Sequence, residues 1–526
     1  MRCAARNPST PRPHRGVVLI IVLVVVAILA LGAYTFTELM ISHDEAALLG
    51  GRQVQARALV DSGLDATSMF LAMDPLTQEE MGGWYDNPTY FQAVNVIPDP
   101  DPAAMGNFTL IAANQDDEGN LAGVRYGLED ESTRLNLNTL LFAEENLEGA
   151  GRTLLMSLPG MTEDVADAIL DWIDEDDEPR EYGCEVEYYS ALSPPYRPKN
   201  GPMDTVEELL LVRGVTPLLL FGLDINHNGN VEPHEMASAT EMQSAVDITT
   251  LPPRGWSSFL TLHSKEKNVM ADGQPRIHLN NADLNELYTD LREVFDESWA
   301  SFIVAYRQSG PYSGSGPAGN AQGARPDLAM PAEYEINQVW DLIDIQVEMQ
   351  PGGGGNPIVL DSPFSGEFGA MAAYLPTLLD KVSVNGATTI PGRININQAP
   401  RTIMLGIPGM TEEIVDQIIE LRVPVPTEEN PNRKSEAWLL LEAVVTLEQM
   451  RILSPFVCAG GSVYRAQVIG YFEGGGASAR GEAIFDATKS VPRLVFWRDV
   501  SHLGRGYDLG TLGMAYSDPL LTGIGN

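Results

Sequence analysis

Residues 224–235 read DINHNGNVEPHE. Oxygen-bearing side chains stand at the first, third, fifth, ninth and twelfth positions: Asp224, Asn226, Asn228, Glu232 and Glu235. Gly229 holds the sixth, where a tight loop must turn. This is the spacing of a twelve-residue calcium loop, D-x-[DN]-x-[DN]-G-x5-E. Asn230 would offer its backbone carbonyl at the seventh position, and Val231 is the apolar anchor type at the eighth. Glu232 would act at the ninth, through water, and Glu235 would bind in bidentate fashion. The expected cofactor is Ca2+, held with the modest affinity that suits an extracellular space. The alternative is a polar surface turn that matches by chance.

A second acidic run, DWIDEDDEPREYGCEVEYY, covers 171–189. Asp174, Asp176, Glu178 and Glu185 repeat the spacing one, three, five and twelve. Pro179 occupies the glycine position, and its fixed negative φ excludes an ordinary loop of that kind. A looser cation site and a solvated acidic loop are the two readings. Signatures of hydrolases, zinc proteases and nucleotide-binding loops (GxSxG, HExxH, GxxxxGK[ST]) are absent, and no enzyme is expected. Cys184 and Cys458 are read as buried free thiols, with a disulfide as the alternative.

The elements that position these residues follow from hydropathy. From Val17 to Thr37 the chain carries no charge. As a helix that run reaches ~32 Å, enough for a bilayer core of ~30 Å. Arg2, Arg6, Arg12 and Arg15 precede it without an acid, which places residues 1–16 in the cytoplasm and the body outside it. Ala56, Val60, Gly63, Thr67 and Phe70 continue a helical stripe, and Pro75 is a plausible stop. The formal charge of −39 repels nucleic acid and attracts cations. Short β-like runs lie near 107–131 and again from 461 to 500.

The middle is helical in pattern and internally repeated. RLNLNTL (134–140), RIHLNNA (276–282) and RININQA (393–399) share one motif. LPGMTEDVADAI (158–169) and IPGMTEEIVDQI (407–418) agree at seven of twelve positions. Gly160 and Gly409 suit a positive-φ turn, with Thr162 and Thr411 as N-caps. FDESWASFIVAYR is a weaker echo. This is a helix-hairpin-helix pattern, but acids stand where DNA-binding hairpins need cations, so no nucleic-acid partner is expected. The glycine-rich stretches 309–327 and 350–357 are read as loops separating the units.

Several of these residues resemble general secretion pathway protein K, the minor pseudopilin family of type II secretion. The short basic leader ends at Arg15-Gly16, and Ile21 stands at the fifth position after it, where most pilins carry Glu and protein K members typically do not. EDESTRLNLNTL (129–140), the stretch 169–220 and LVFWRD are similar to the family's segments. In that stretch Gly183-Cys184-Glu185-Val186 replaces the family's Gly-Ala-Glu-Asp, so one expected carboxylate is absent. The resemblance implies cleavage by prepilin peptidase between Gly16 and Val17. It implies a single-pass inner-membrane protein with a periplasmic body, joined to other minor pseudopilins at the tip of the pseudopilus and acting in export across the outer membrane. The implied fold class is α+β: a pilin-like long N-terminal helix on a small antiparallel sheet, with a large helical insertion containing the repeats. The expected divisions are 1–16 (leader), 17–73 (helix, transmembrane over 17–37), 74–135 (first part of the β domain), 136–455 (inserted α domain with the calcium loop) and 456–526 (closing strands). The expanded stretch 221–390 exceeds the family's usual length. The rival reading is a calcium-binding, membrane-anchored exported adhesin or binding protein.

Overall fold

The computed structural model describes residues 15–101, 104–228, 231–233, 235–236, 254–314, 325–353, 355–427 and 429–513. The uncharged run is the first part of one helix, α1 (Arg15–Leu71). Its residues from Val17 to Leu49 are exposed throughout, and it is long and apolar enough to cross a membrane. The second part is different. Ala56, Leu59, Val60, Thr67 and Phe70 are buried, as a stripe of fours and threes demands. Pro75 does not itself end the helix. α1 stops at Leu71, and Asp74 caps a new short helix in which Pro75 is the first residue.

The buried stripe lies on a seven-stranded antiparallel sheet assembled from both sides of the repeat region. The first four strands are β1 (Val94–Ile97), β2 (Gly106–Gln115), β3 (Leu121–Arg125) and β4 (Glu129–Asp130). The last three are β5 (Val463–Phe472), β6 (Ser478–Asp486) and β7 (Arg493–Asp499). The order is β1-β2-β5-β6-β7, with β3 on β2 and β4 on β5. Alternation along the strands sends Phe108, Leu110, Ala466, Val468, Ala483 and Phe485 to the α1 face. Close approach needs glycine on both surfaces. A Cβ on Gly63 would lie 2.5 Å from a Val468 methyl, and one on Gly470 would strike the carbonyl oxygen of Ala56.

The opposite face carries Gln467, Ile469, Tyr471, Arg480 and Glu482, and the insertion covers it. Glu207, on the insertion, pairs with Arg498 of β7. Arg498 reaches Glu482 of β6 at 2.6 Å, and Glu482 reaches Arg465 of β5 at 2.5 Å. Arg465 then bonds Glu131, at the start of the insertion, at 2.6 Å, and Glu131 also accepts from Thr261. Burial pushes the Glu482 carboxyl up, but Arg465 and Arg498 outweigh it and hold it well below the ordinary range. Buried charges are tolerated when paired in this way.

The three motif copies adopt one local structure. Leu135–Asn136, Ile277–His278 and Ile394–Asn395 each form a two-residue parallel pairing, with Leu260–Thr261, Val382–Ser383 and Val457–Cys458 respectively. Helices follow each. The first copy leads to α2 (Ala150–Met156) and α3 (Glu163–Ile173), the second to α4 (Leu284–Val294) and α5 (Glu297–Ser309). After α6 (Phe368–Lys381), the third leads to α7 (Arg401–Leu405) and α8 (Glu412–Leu421). Gly160 and Gly409 turn at φ 71° and 84°. The Thr411 hydroxyl accepts from Ile414 N–H, whereas Thr162 donates instead to Asp164 at 2.6 Å. All three units share one apolar core with Trp256, Trp340 and Trp438 inside it. The stretch 350–357 does not separate units. It joins Gln346–Met349 to Ile358–Asp361 in an antiparallel hairpin. In the other glycine-rich stretch, 315–324 lies outside the described residues. The architecture is α+β.

Candidate metal centre

The short helix Pro217–Phe221 ends at Gly222, whose φ of 68° turns the chain toward the sheet. The loop that follows folds back on its own acids. Glu235 is fully buried and holds both limbs: Oε1 accepts from Asn226 N–H and Oε2 from Glu232 N–H, each at 3.0 Å. Asn228 N–H donates to Asp224 Oδ1 at 3.0 Å and to Asn226 Oδ1 at 2.9 Å. The side-chain amides of Asn226 and Asn228 donate to the two oxygens of Glu232, at 2.6 and 2.9 Å. Five of the six expected ligands therefore meet in one hydrogen-bonded loop. The sixth, Asn230, lies outside the described residues together with Gly229 and His234. The donors are hard oxygens, the chemistry calcium takes. Among the described residues no three His, Cys, Asp or Glu side chains are grouped to hold a metal; this loop relies on two asparagines as well.

The loop is seated on the sheet by its backbone. The Arg480 guanidinium, from β6, donates to the carbonyls of Asn226 and His227. Gln467, from β5, donates to the His227 carbonyl at 2.8 Å. The Asn228 amide donates to the Gly506 carbonyl at 2.7 Å, in the segment after β7. His227 takes a left-handed φ of 57° to present that carbonyl. Burial pushes the Arg480 guanidinium down, opposed in part by Tyr507, Asp224, Glu482 and Glu232.

The second acidic cluster is assembled differently from its sequence spacing. Asp174 and Glu185 are buried, but Asp176 and Glu178 stand exposed, with Asp176 capping the Glu178 N–H at 2.8 Å. Asp171, one turn earlier on α3, takes their place. Arg180 reaches into the cluster, bonding Asp171 at 3.0 Å and pairing with Asp174. Asp174 Oδ1 and both oxygens of Glu185 have no hydrogen-bond partner. Burial, then repulsion from Asp171, Asp174, Asp177 and Asp176, pushes the Glu185 carboxyl up to about 7. Asp171 was missed because a loop template counts along the chain; the helical step from 171 to 174 would have found it. Gly183 lets Asp171 approach, since a Cβ there would overlap its carboxylate. Cys184 and Cys458 are buried free thiols, and Cys184 lies 3.3 Å from the Tyr189 hydroxyl.

With this geometry in view, the family model for type II secretion system protein K, its first domain, matches residues 133–223. These residues are similar to a protein K domain. The domain includes the whole Asp171–Asp174–Glu185 cluster and ends one residue before Asp224. Type II secretion system protein K of Aeromonas hydrophila is 31% identical over 132 residues, 21% of this chain. The chain spans about 37% of that relative's length. A solved structure, the GspK-GspI-GspJ complex from the type 2 secretion system of enterotoxigenic Escherichia coli, aligns over 87% of this chain and 98% of that one. Its identity is 11% and its TM-score 0.28, too low to equate the two folds.

Proposed function

We propose that this chain is a minor pseudopilin of type II secretion, seated at the tip of the pseudopilus. The observation that carries it is the placement of the protein K domain: it lies within an insertion between two halves of a sheet packed on a long apolar helix. The sheet-on-helix arrangement is the pilin-like fold, and the repeated helix pairs act as helix-hairpin-helix packing units. Residues 17–37 anchor the chain in the inner membrane, with the leader cytoplasmic and the body periplasmic. Ile21 supports the tip position. An acid there would serve to neutralise a neighbour's terminal amine within the apolar bundle, and a subunit with nothing above it needs none. The partners are other minor pseudopilins, and prepilin peptidase cuts after Gly16. Mass spectrometry of the mature N-terminus tests this. A start at Val17 is expected; a start at Met1 indicates a plain anchor and sinks the reading, as does a start beyond Tyr34.

Calcium belongs to the same reading. Asp224, Asn226, Asn228, Glu232 and Glu235 would hold it, supplying oxygen ligands and backbone order rather than any reaction step. At the second cluster the countercharge is Arg180, which bonds Asp171 and pairs with Asp174, leaving Asp174 Oδ1 and both Glu185 oxygens without a hydrogen-bond partner. Calorimetric titration of the full chain in detergent is expected to show calcium binding that Asp224→Ala and Glu235→Gln each reduce. Equal heats in all three proteins overturn the assignment of the loop.

A further inference from the structure

The segment after β7 crosses the sheet face opposite α1 and is tied down along its length. The Tyr507 hydroxyl donates to Gln467 at 3.0 Å. The Leu512 carbonyl accepts from Thr109 at 3.0 Å and from Tyr471 at 2.6 Å. The Thr511 carbonyl accepts from Tyr126 at 2.6 Å and from Gln92 at 3.2 Å. Leu512 is fully buried against Ile111, Ile469 and Tyr471. This strap bridges β2 and β5 and is held at its far end by Gln92, just before β1, and Tyr126, just after β3. At its near end it meets the calcium loop: Asn228 holds the Gly506 carbonyl, and Gln467 bonds both His227 and Tyr507. Gly506 takes a φ of 78°, and a Cβ there would crowd Arg480 and lie 3.3 Å from Asn228 Cβ.

We infer that cation binding by Asp224, Asn226, Asn228, Glu232 and Glu235 clamps the C-terminal strap onto the sheet, through Arg480, Gln467 and the Asn228–Gly506 bond. The inference rests on the calcium reading above. Its physical basis is linkage. The carbonyls of Asn226 and His227 that Arg480 and Gln467 grip lie between the liganding side chains of the loop's first limb. Arg480 is almost fully buried; its two terminal amino groups donate to loop carbonyls, and Tyr507, Asp224, Glu482 and Glu232 favour its charge, two of them on the loop. A loop that opens therefore strands a buried guanidinium and releases Gly506 together. A cation that binds only the closed loop suppresses that opening by the ratio of its concentration to its dissociation constant. The insertion and the end of the chain become one cooperative unit when the cation is present.

Hydrogen exchange of the full chain in detergent, in EGTA and then in calcium at about one hundred times its measured dissociation constant, tests the coupling. Peptides within 505–512 are expected to exchange between about threefold and a hundredfold more slowly with calcium, the ceiling being set by the concentration ratio. Asn228→Asp keeps an oxygen ligand at the fifth position, now a carboxylate, but removes the amide donor to Gly506. It is expected to bind calcium by calorimetry and to lose most of the strap's protection. Tyr507→Phe, a milder change that deletes one hydroxyl, is expected to lose part of it. Calcium binding with unchanged exchange at 505–512 overturns the coupling and leaves the calcium reading standing. Undiminished protection in Asn228→Asp also overturns it. No binding heat in the native chain removes the calcium reading, and the coupling with it.

Discussion

Replacing Arg465 by Met isolates the ionic chain that joins the insertion to the sheet. Glu131 is fully buried and takes two bonds from Arg465, at 2.6 and 3.2 Å. After the substitution it retains only the Thr261 hydroxyl as a direct partner, whereas Glu482 keeps Arg498 at 2.6 Å. The loss therefore leaves a buried carboxylate without its bonded cation, which typically costs about 3–5 kcal/mol. Burial already pushes the Glu131 carboxyl up; at present Arg465 and Arg134 outweigh it and hold it below its ordinary value. Without Arg465 the balance reverses and the folded-state pKa rises above the unfolded one. The defect is then small below the unfolded pKa and grows as pH rises through the folded pKa. Urea unfolding followed by tryptophan fluorescence at pH 5 and pH 8 measures this, using the midpoint of the first transition because a chain of several units need not unfold in one step. Arg465→Met/Glu131→Leu removes both partners and is expected to recover about 2 kcal/mol or more. A single-variant cost below about 1 kcal/mol at pH 8, or one that does not change with pH, would refute the reasoning.

Gly470→Ala drives a methyl into the Ala56 carbonyl and should cost about 1–3 kcal/mol, read by thermal unfolding. Gly50→Ala, in open space on the same helix, should instead gain up to about 1 kcal/mol. Glu185, held at about 7 in the fold against an ordinary 4.5, contributes stability below about pH 4.5 that is lost as pH rises through 7. Glu185→Gln should flatten that slope when thermal unfolding in EGTA is compared at pH 5 and pH 8. Glu129 runs the other way: burial raises it, but Arg134, Arg254 and Arg125 hold it at about 2, so its contribution is present above pH 4.5 and lost as pH falls toward 2. Glu129→Gln should lessen acid sensitivity in unfolding scans between pH 5 and pH 3.

Much of this was legible from residue spacing, because spacing is what secondary structure reads. The 56–70 stripe, the Gly160 and Gly409 turns and the strand runs at each side of the insertion all depend on local period and φ. The twelve-residue template picked out Asp224 and Glu235, which fold into one hydrogen-bonded loop, because such a loop brings its polar side chains together in sequence order. The second cluster escaped the same template, since Asp171 reaches Glu185 across a helix turn and a loop, and Arg180 reaches back from the far side. Nothing in a linear pattern marks Arg480, Gln467 or Gly506 as the loop's seat; they meet it only after 467–506 has folded over the sheet. The glycine run at 350–357 misled for a related reason: composition reports a flexible backbone but not whether two strands flank it.

The sheet under α1 is written in two instalments, with more than three hundred residues between β4 and β5. The strand that contacts the helix most centrally, β5, emerges only after the whole insertion. Until then the helix's buried stripe has half a floor, and Ala56, Leu59 and Val60, which pack against Gly470 of β5, face solvent or whatever holds an unfinished chain. A polypeptide cut short anywhere in the insertion can place its anchor yet never close its head. Completion of β5 to β7 is thus a checkpoint that the topology itself imposes, and a partial product is left with greasy surface that quality-control proteases can recognise.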